Sequence, residues 1–181
     1  MRYRGSARGG SWAAMAWRVT SRNTLPTKEN NAPMVATLQE TLLAPETKPH
    51  VTADCMTLIQ QEVSAKSGVS GATVKLAYKT ANTFASGYLQ AMVEKLIPEM
   101  ADKLQPYWAD FAASGAGEFG DYLAKRGDEV AEALLSVTDE HAANSQRATI
   151  LKAYRTVRGG AAKHVTAALP NLGAMIQKYA A

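Results

Sequence analysis

The chain has 181 residues, of which 46% are apolar and 20% are charged, and this length suits one domain with its own core better than two. A membrane-spanning helix needs about 20 consecutive apolar residues, and no run in the sequence approaches that length. The single cysteine, Cys55, excludes an internal disulfide framework and indicates a reducing compartment. We therefore expect one cytoplasmic domain without a membrane span.

The net charge of +4 is unevenly distributed along the chain. Residues 1–33 carry six basic residues against one acidic residue, whereas the remaining residues carry 14 basic and 15 acidic ones. A protein that binds nucleic acid needs a basic face on its folded domain. The balanced charge of residues 34–181 therefore argues against a nucleic-acid partner.

Residues 1–33 show no sustained helical or strand period and are rich in Arg, Ser, Gly and Asn. Three interpretations of this leader remain open. It is an organellar transit peptide, a basic arm that contacts phosphates or anionic lipid, or sequence upstream of the true start at Met34. The sequence predicts a disordered basic leader over 1–33 and an all-helical domain over 34–181.

From Met34 onward, apolar residues recur at helical spacing, separated by short breaks. This pattern predicts an all-α, single-domain bundle of seven or eight helices. Ser70 and Asp128 are the expected N-caps of two of them. Pro98 lies inside the strongest stripe and predicts a kink or a new helix. Gly159 and Gly160 predict the end of one helix, and Pro170 the start of the last.

Glycines at 115, 117 and 120 match the dinucleotide-binding pattern G-x-G-x-x-G, and Asp139 and Glu140 follow about 20 residues later, where that fingerprint has an acid. The motif binds a pyrophosphate only when a strand enters the loop and a helix leaves it. The segment before Gly115 has a helical period instead. We therefore interpret residues 115–120 as a turn between helices and predict no dinucleotide site.

Two pairs of polar residues could serve acid–base chemistry. Lys75 and Tyr78 are three residues apart and share a helix face, and Asp128 and Glu132 are four apart on another helix. Such pairs are more often solvated helix surface. His50, His141 and His164 are scattered and lack the spacing of a metal site, so we expect neither a metal nor a cofactor.

Trp108 and Phe111 lie in the segment after the strongest apolar stripe, which itself contains Met92 and Met100. Aromatic residues dominate core packing, so a place in the core is the first interpretation of Trp108 and Phe111. The alternative is that these four residues line a pocket for an apolar ligand.

Several phrases of the sequence resemble a family of bacterial, actinobacterial-type proteins classed as a domain of unknown function. They are TLLAPETKPHV, AKSGVSG, IPEMADKLQPYWADF, GEFGDYLAKRGDEVAEALLSVTD, KAYRTVRG and ALPNLGAMI. The resemblance covers residues 34–181. It implies a small all-helical domain that begins near Met34, and it implies no activity, substrate or cofactor.

Three hypotheses about function follow. The leading one is a non-enzymatic interaction or scaffold protein, which associates with itself or with a protein partner through an apolar helix face. The second is a carrier of a small apolar ligand or lipid. The third is an enzyme without a recognisable motif, which uses Lys75 and Tyr78 or the carboxylates of Asp128 and Glu132.

Overall fold

The computed structural model describes residues 36–115 and 117–180, and these residues form seven helices and no strand. The helices are α1 (Leu38–Leu42), α2 (Lys48–Ala65), α3 (Gly68–Phe84), α4 (Tyr88–Ser114), α5 (Phe119–Lys125), α6 (Gly127–Ala143) and α7 (Ala148–Ala180). None of them is long and apolar enough to cross a membrane. The predicted all-α fold is confirmed, and the predicted leader over 1–33 lies outside the described residues.

The tightly packed core surrounds the second half of α4. This helix buries nine residues, more than any other described helix, and its Trp108 ring meets the Phe119 ring of α5 edge to face at 5.0 Å. Leu169 and Ile176 of α7 are buried in the same cluster. Burial of large apolar side chains is the main favourable term in folding, so this cluster is the principal source of the stability of the bundle.

Helices α5 and α7 approach each other at two glycines. A Cβ atom added to Gly173 would overlap the backbone of Gly120, and one added to Gly120 would overlap the backbone of Pro170. The two backbones therefore lie in direct contact, which a larger residue at either position would prevent. This contact explains why the short helix α5, of seven residues, is stably placed.

Helix α4 is one continuous helix that contains both Pro98 and Pro106, so the predicted alternative of a new helix at Pro98 is wrong. An internal proline costs about 3 kcal/mol. The apolar stripe continues in register on both sides of Pro98, with Leu96 and Ile97 buried before it and Ala101 after it. Burial of this whole stripe offsets the cost of the interrupted hydrogen bond.

Helix α7 runs without a break from Ala148 to Ala180. The predicted helix end at Gly159 and Gly160 is therefore wrong, as is the predicted helix start at Pro170. Each internal glycine costs about 1 kcal/mol relative to alanine. Val157 and Val165, which flank the glycines, both face the interior of the bundle, and this shared orientation is kept only if the helix continues.

The two predicted N-caps are each displaced. Helix α3 has Ser67 as its N-cap and Ser70 in its first turn, while α6 has Arg126 as its N-cap and Asp128 in its first turn. The structure also shows a capping box that the pattern T-x-x-E could have revealed. Thr37 Oγ1 accepts a hydrogen bond from the Glu40 amide, and the Glu40 carboxylate accepts one from the Thr37 amide.

Candidate functional site

Five helices, α2, α3, α4, α6 and α7, surround an apolar cavity of about 840 Å³. It lies beside the core, between the second halves of α2 and α6, the first half of α4, the inner face of α3, and α7 from Ile150 to Leu172. Leu96 and Leu134 are both core residues and cavity residues by their burial and position. The bundle is therefore packed solid on one side and open on the other.

The inner face of α3 shows how the sequence builds this cavity. Val74, Ala77, Tyr78 and Ala81 line it, and their spacing of three, one and three residues places them on one face of the helix. Yet α3 buries only Gly71 completely. The apolar stripe faces inward as a core stripe would, but open space lies opposite it.

Small side chains leave this space unfilled. Alanines line the cavity on α3 at positions 77 and 81 and on α7 at positions 153, 161 and 168. Protein interiors are normally packed as densely as organic crystals. Because alanine ends at Cβ, helices that face each other through alanines at their usual separation leave a void between them.

A polar network fixes the wall between α6 and α7. The Tyr154 hydroxyl donates to Asp139 Oδ1 at 2.6 Å and lies 2.9 Å from Thr138 Oγ1. Arg158 donates to the same carboxylate through Nε at 2.8 Å and through Nη2 at 2.9 Å. Burial and the bond to Asp139 raise the pKa of Tyr154, and Arg158 lowers the pKa of Asp139. The network therefore holds a neutral phenol and an ionised carboxylate.

One end of the cavity lies where α2 turns into α3. Ser70 Oγ lies 2.7 Å from His164 Nε2, and Lys66 Nζ lies 2.9 Å from Glu62 Oε2. Asn171 donates a second hydrogen bond to Glu62 at 2.8 Å. Burial lowers the pKa of His164, and the charge of Lys66 lowers it further. The polar groups at this end are thus paired with one another.

The other end lies at the turns between α3 and α4 and between α6 and α7. The Arg147 guanidinium stacks 4.8 Å from the Tyr88 ring centroid and 5.4 Å from that of Phe84. His141 Nε2 is bonded to Glu99 Oε1 at 2.8 Å. Lys95 and Arg147 both line the cavity, and neither forms an ion pair with a carboxylate in the described part of the chain.

The structure places the predicted pocket residues in two different environments. Met92 and Met100 line the cavity. Trp108 and Phe111, by contrast, are only 4% and 9% exposed and belong to the core cluster. Within the described residues, the Trp108 indole N–H has no hydrogen-bond acceptor. The aromatic pair therefore supports the fold beside the cavity rather than lining it.

The predicted polar pairs are also separated from one another. Tyr78 lines the cavity, while Lys75 on the same helix is exposed. Asp128 is exposed in the first turn of α6, and Glu132 accepts a hydrogen bond from Arg158 Nη2 at 3.0 Å. Of these four predicted residues, only Tyr78 lines the cavity.

Neither a metal cluster nor a reactive thiol marks the site. Across 36–115 and 117–180, no group of three or more His, Cys, Asp or Glu residues is positioned to hold a metal ion. Burial raises the pKa of Cys55 to about 11, and its Sγ lies 3.8 Å from Met175 Sδ. Cys55 is therefore a protonated thiol that packs beside a methionine.

The sequence pattern did not predict the two cations at the cavity or the polar network between α6 and α7. Tyr154 and Arg158 are four residues apart on one helix face, which is a signal that they can share a partner. Their partner Asp139 lies on another helix, so spacing alone could not identify it. Lys95 and Arg147 carry no local signal of this kind, because the cavity they border is created by tertiary packing.

The fold and the cavity together define a small all-helical protein with an apolar cavity beside its core. The chain belongs to a family of unknown function, DUF6918, which it matches over residues 38–180. This match confirms the predicted resemblance to a family of unknown function. Comparisons with curated proteins and with solved structures find no match.

Proposed function

We propose that the domain binds a small apolar molecule or lipid in the cavity between α2, α3, α4, α6 and α7, and so acts as a carrier. The observation that supports this proposal is the cavity of about 840 Å³ with its largely apolar lining. Ligand sites typically measure about 300–1,000 Å³ and are lined mainly by apolar side chains. The cavity moves the carrier hypothesis ahead of the scaffold hypothesis.

The energetics of the lining favour an apolar occupant. Leu58, Ile59 and Val63 of α2 are only half-buried, as are Ile150 and Val157 of α7. Covering such side chains yields about 25 cal/mol for each Å² of apolar surface removed from water. A water molecule in a cavity needs two to four polar partners, and the largely apolar side chains that line this cavity between its two ends supply few of them.

Several titratable groups that border the cavity are paired with other groups of the protein. Tyr154 is held by Asp139 and Thr138, and His164 by Ser70. A general acid or base must be able to reach the proton that it transfers. Groups that are already paired with the protein stabilise the walls of the cavity and leave its centre to apolar contacts.

A titration with Nile red, an uncharged apolar dye whose fluorescence rises in apolar surroundings, tests the proposal. The double variant Ala77→Phe/Ala153→Phe places two rings in the cavity and should weaken dye binding about tenfold or more, since the filled space is no longer open to the dye. The control, Ala72→Phe/Ala167→Phe, adds the same rings at exposed positions of the same two helices that do not line the cavity. It should bind the dye as the wild type does. Equal binding by all three proteins would contradict the proposal.

A second candidate function is the scaffold role, and one observation supports it. Val69 is 88% exposed and Leu76 is 66% exposed on the outer face of α3, and their spacing of seven residues aligns them along the helix. Exposed apolar stripes can mark interaction surfaces. Light scattering tests this role: a dimer that Leu76→Glu converts to a monomer would favour it, and a wild-type monomer would oppose it.

The proposed carrier would act in the cytoplasm. Support for this location comes from Cys55, which is a free thiol, since reducing compartments keep thiols in that state. Fractionation of the source cells with an antibody against the chain would test it, and recovery outside the cytoplasmic fraction would contradict it.

A further inference from the structure

The two ends of the cavity differ in charge. The carboxylate of Glu62 at the α2–α3 end forms an ion pair with Lys66 at 2.9 Å, so the charges there cancel. At the opposite end the lining contains Lys95 and Arg147, both of which are also exposed to solvent. Glu99, which follows Lys95 by four residues on α4, is bound to His141 and does not line the cavity.

The arrangement of the helices brings these two cations to the same end. Helices α4 and α6 run antiparallel, because Tyr107 bonds to Glu129 at 3.0 Å and Glu99 bonds to His141 at 2.8 Å. Lys95 lies one helical turn before Glu99 on α4. Since Glu99 faces His141 near the end of α6 and the two helices are antiparallel, Lys95 lies opposite the turn between α6 and α7. Arg147 follows that turn and stacks on Tyr88, which lies about two helical turns before Lys95.

The apolar part of the cavity extends from Lys95 and Arg147 toward the end at which Glu62 is paired with Lys66. Ser70 bonds to His164, and Phe84 lies against Arg147, so α3 and α7 run antiparallel along the cavity. The 14 residue-to-residue steps from Ser70 to Phe84 span about 21 Å at the helical rise of about 1.5 Å per residue. Along this length the facing residues include Val74, Ala77 and Val157.

We propose that the occupant is an anionic amphiphile with a single apolar chain, whose acidic head group lies between Lys95 and Arg147 and whose chain extends along α3 toward His164. This inference rests on the proposed carrier function and specifies its ligand. Within residues 36–115 and 117–180 neither cation has an acidic partner, and such cations favour a negative head group and repel a positive one. Arg147 is held in place by its aromatic neighbours, which lowers the entropy cost of binding an anion.

Competition against Nile red with three ligands of equal chain length tests the inference. Dodecanoate, dodecanol and dodecylamine carry negative, neutral and positive head groups at pH 8. Because a hydrogen bond to a charged group contributes roughly 1.5–3 kcal/mol, dodecanoate should bind about tenfold or more tightly than dodecanol. Dodecylamine should bind more weakly than the alcohol. In Lys95→Gln/Arg147→Gln the affinity for dodecanoate should fall to that for dodecanol, which itself should not change.

The control variant is Lys152→Gln/Arg155→Gln, which removes the same two charges from exposed positions on α7 that do not line the cavity. It should keep the preference for dodecanoate. Equal affinities for the three ligands, or a preference that survives in Lys95→Gln/Arg147→Gln, would overturn the inference while leaving an apolar binding site in place. If neither Nile red nor any dodecyl ligand binds, the carrier proposal itself fails.

Discussion

Ser70 Oγ lies 2.7 Å from His164 Nε2 and joins the first turn of α3 to the middle of α7. The other contacts of α3 involve partly buried or exposed side chains, because Gly71 is its only buried residue. Segments with few buried contacts open at low free-energy cost. We therefore expect α3 to open more readily than the buried second half of α4, and the bond between Ser70 and His164 joins one end of α3 to α7.

The first prediction concerns this bond. Ser70→Ala removes the hydroxyl, and since a typical hydrogen bond contributes about 1 kcal/mol, α3 should open more often. Hydrogen exchange followed by mass spectrometry should show faster exchange in peptides from α3, with peptides from the second half of α4 unchanged.

Ser136→Ala is the matched control for Ser70→Ala, because the Ser136 hydroxyl bonds within its own helix to Ala133. It should leave exchange in α3 unaltered. An unchanged exchange rate in α3 of Ser70→Ala would show that the bond does not hold the helix.

The second prediction concerns pH. Burial lowers the pKa of His164 in the folded state below its usual value of 6.5, and the charges of Lys66 and Lys163 add to this effect. Below pH 6.5 the unfolded chain therefore binds a proton that the folded chain does not. The free energy of unfolding should fall as the pH drops below 6.5, until the pH passes the lowered pKa of the folded state.

Urea unfolding at several pH values between 7.5 and 5 measures this dependence. His164→Gln should flatten the curve in this range, whereas the control His50→Gln, at an exposed position of α2, should follow the wild type. A wild-type stability that stays constant or rises from pH 6.5 downward would contradict the prediction.

The third prediction compares two glycines of α7. Gly173→Ala places a methyl group against the backbone of Gly120, and such overpacking typically costs about 1–3 kcal/mol. Gly159→Ala meets no atom within 4 Å and should stabilise the helix by roughly 0.5–1 kcal/mol. Urea denaturation measures both. A gain in stability for Gly173→Ala would mean that α5 and α7 are not in direct backbone contact.

The sequence predicted the helical class well because its apolar stripes are long and regular. Val130, Leu134 and Val137, for example, are buried in α6 at the spacing that a helix requires. Helix boundaries were less predictable. Gly159 and Pro170 are breakers by local propensity, and tertiary packing of the stripes on both sides kept α7 continuous.

The cavity itself could not be predicted from the stripes. Periodicity shows which face of a helix is apolar, and it does not show whether the opposite helix fills the space in front of that face. Ala77 and Ala153 have the same helical spacing as alanines in a packed core, yet both line the cavity. For Trp108 and Phe111 a place in the core was the first interpretation and the cavity lining the alternative, and the structure places both residues in the core.

Native mass spectrometry of the protein purified from its own cells tests the carrier proposal most directly. A carrier of this kind should give a wild-type mass that exceeds the chain mass by that of one anionic amphiphile, and Ala77→Phe/Ala153→Phe prepared in the same way should lack this excess. A wild type that carries no added mass and also fails to bind dodecanoate when it is supplied would contradict the carrier proposal.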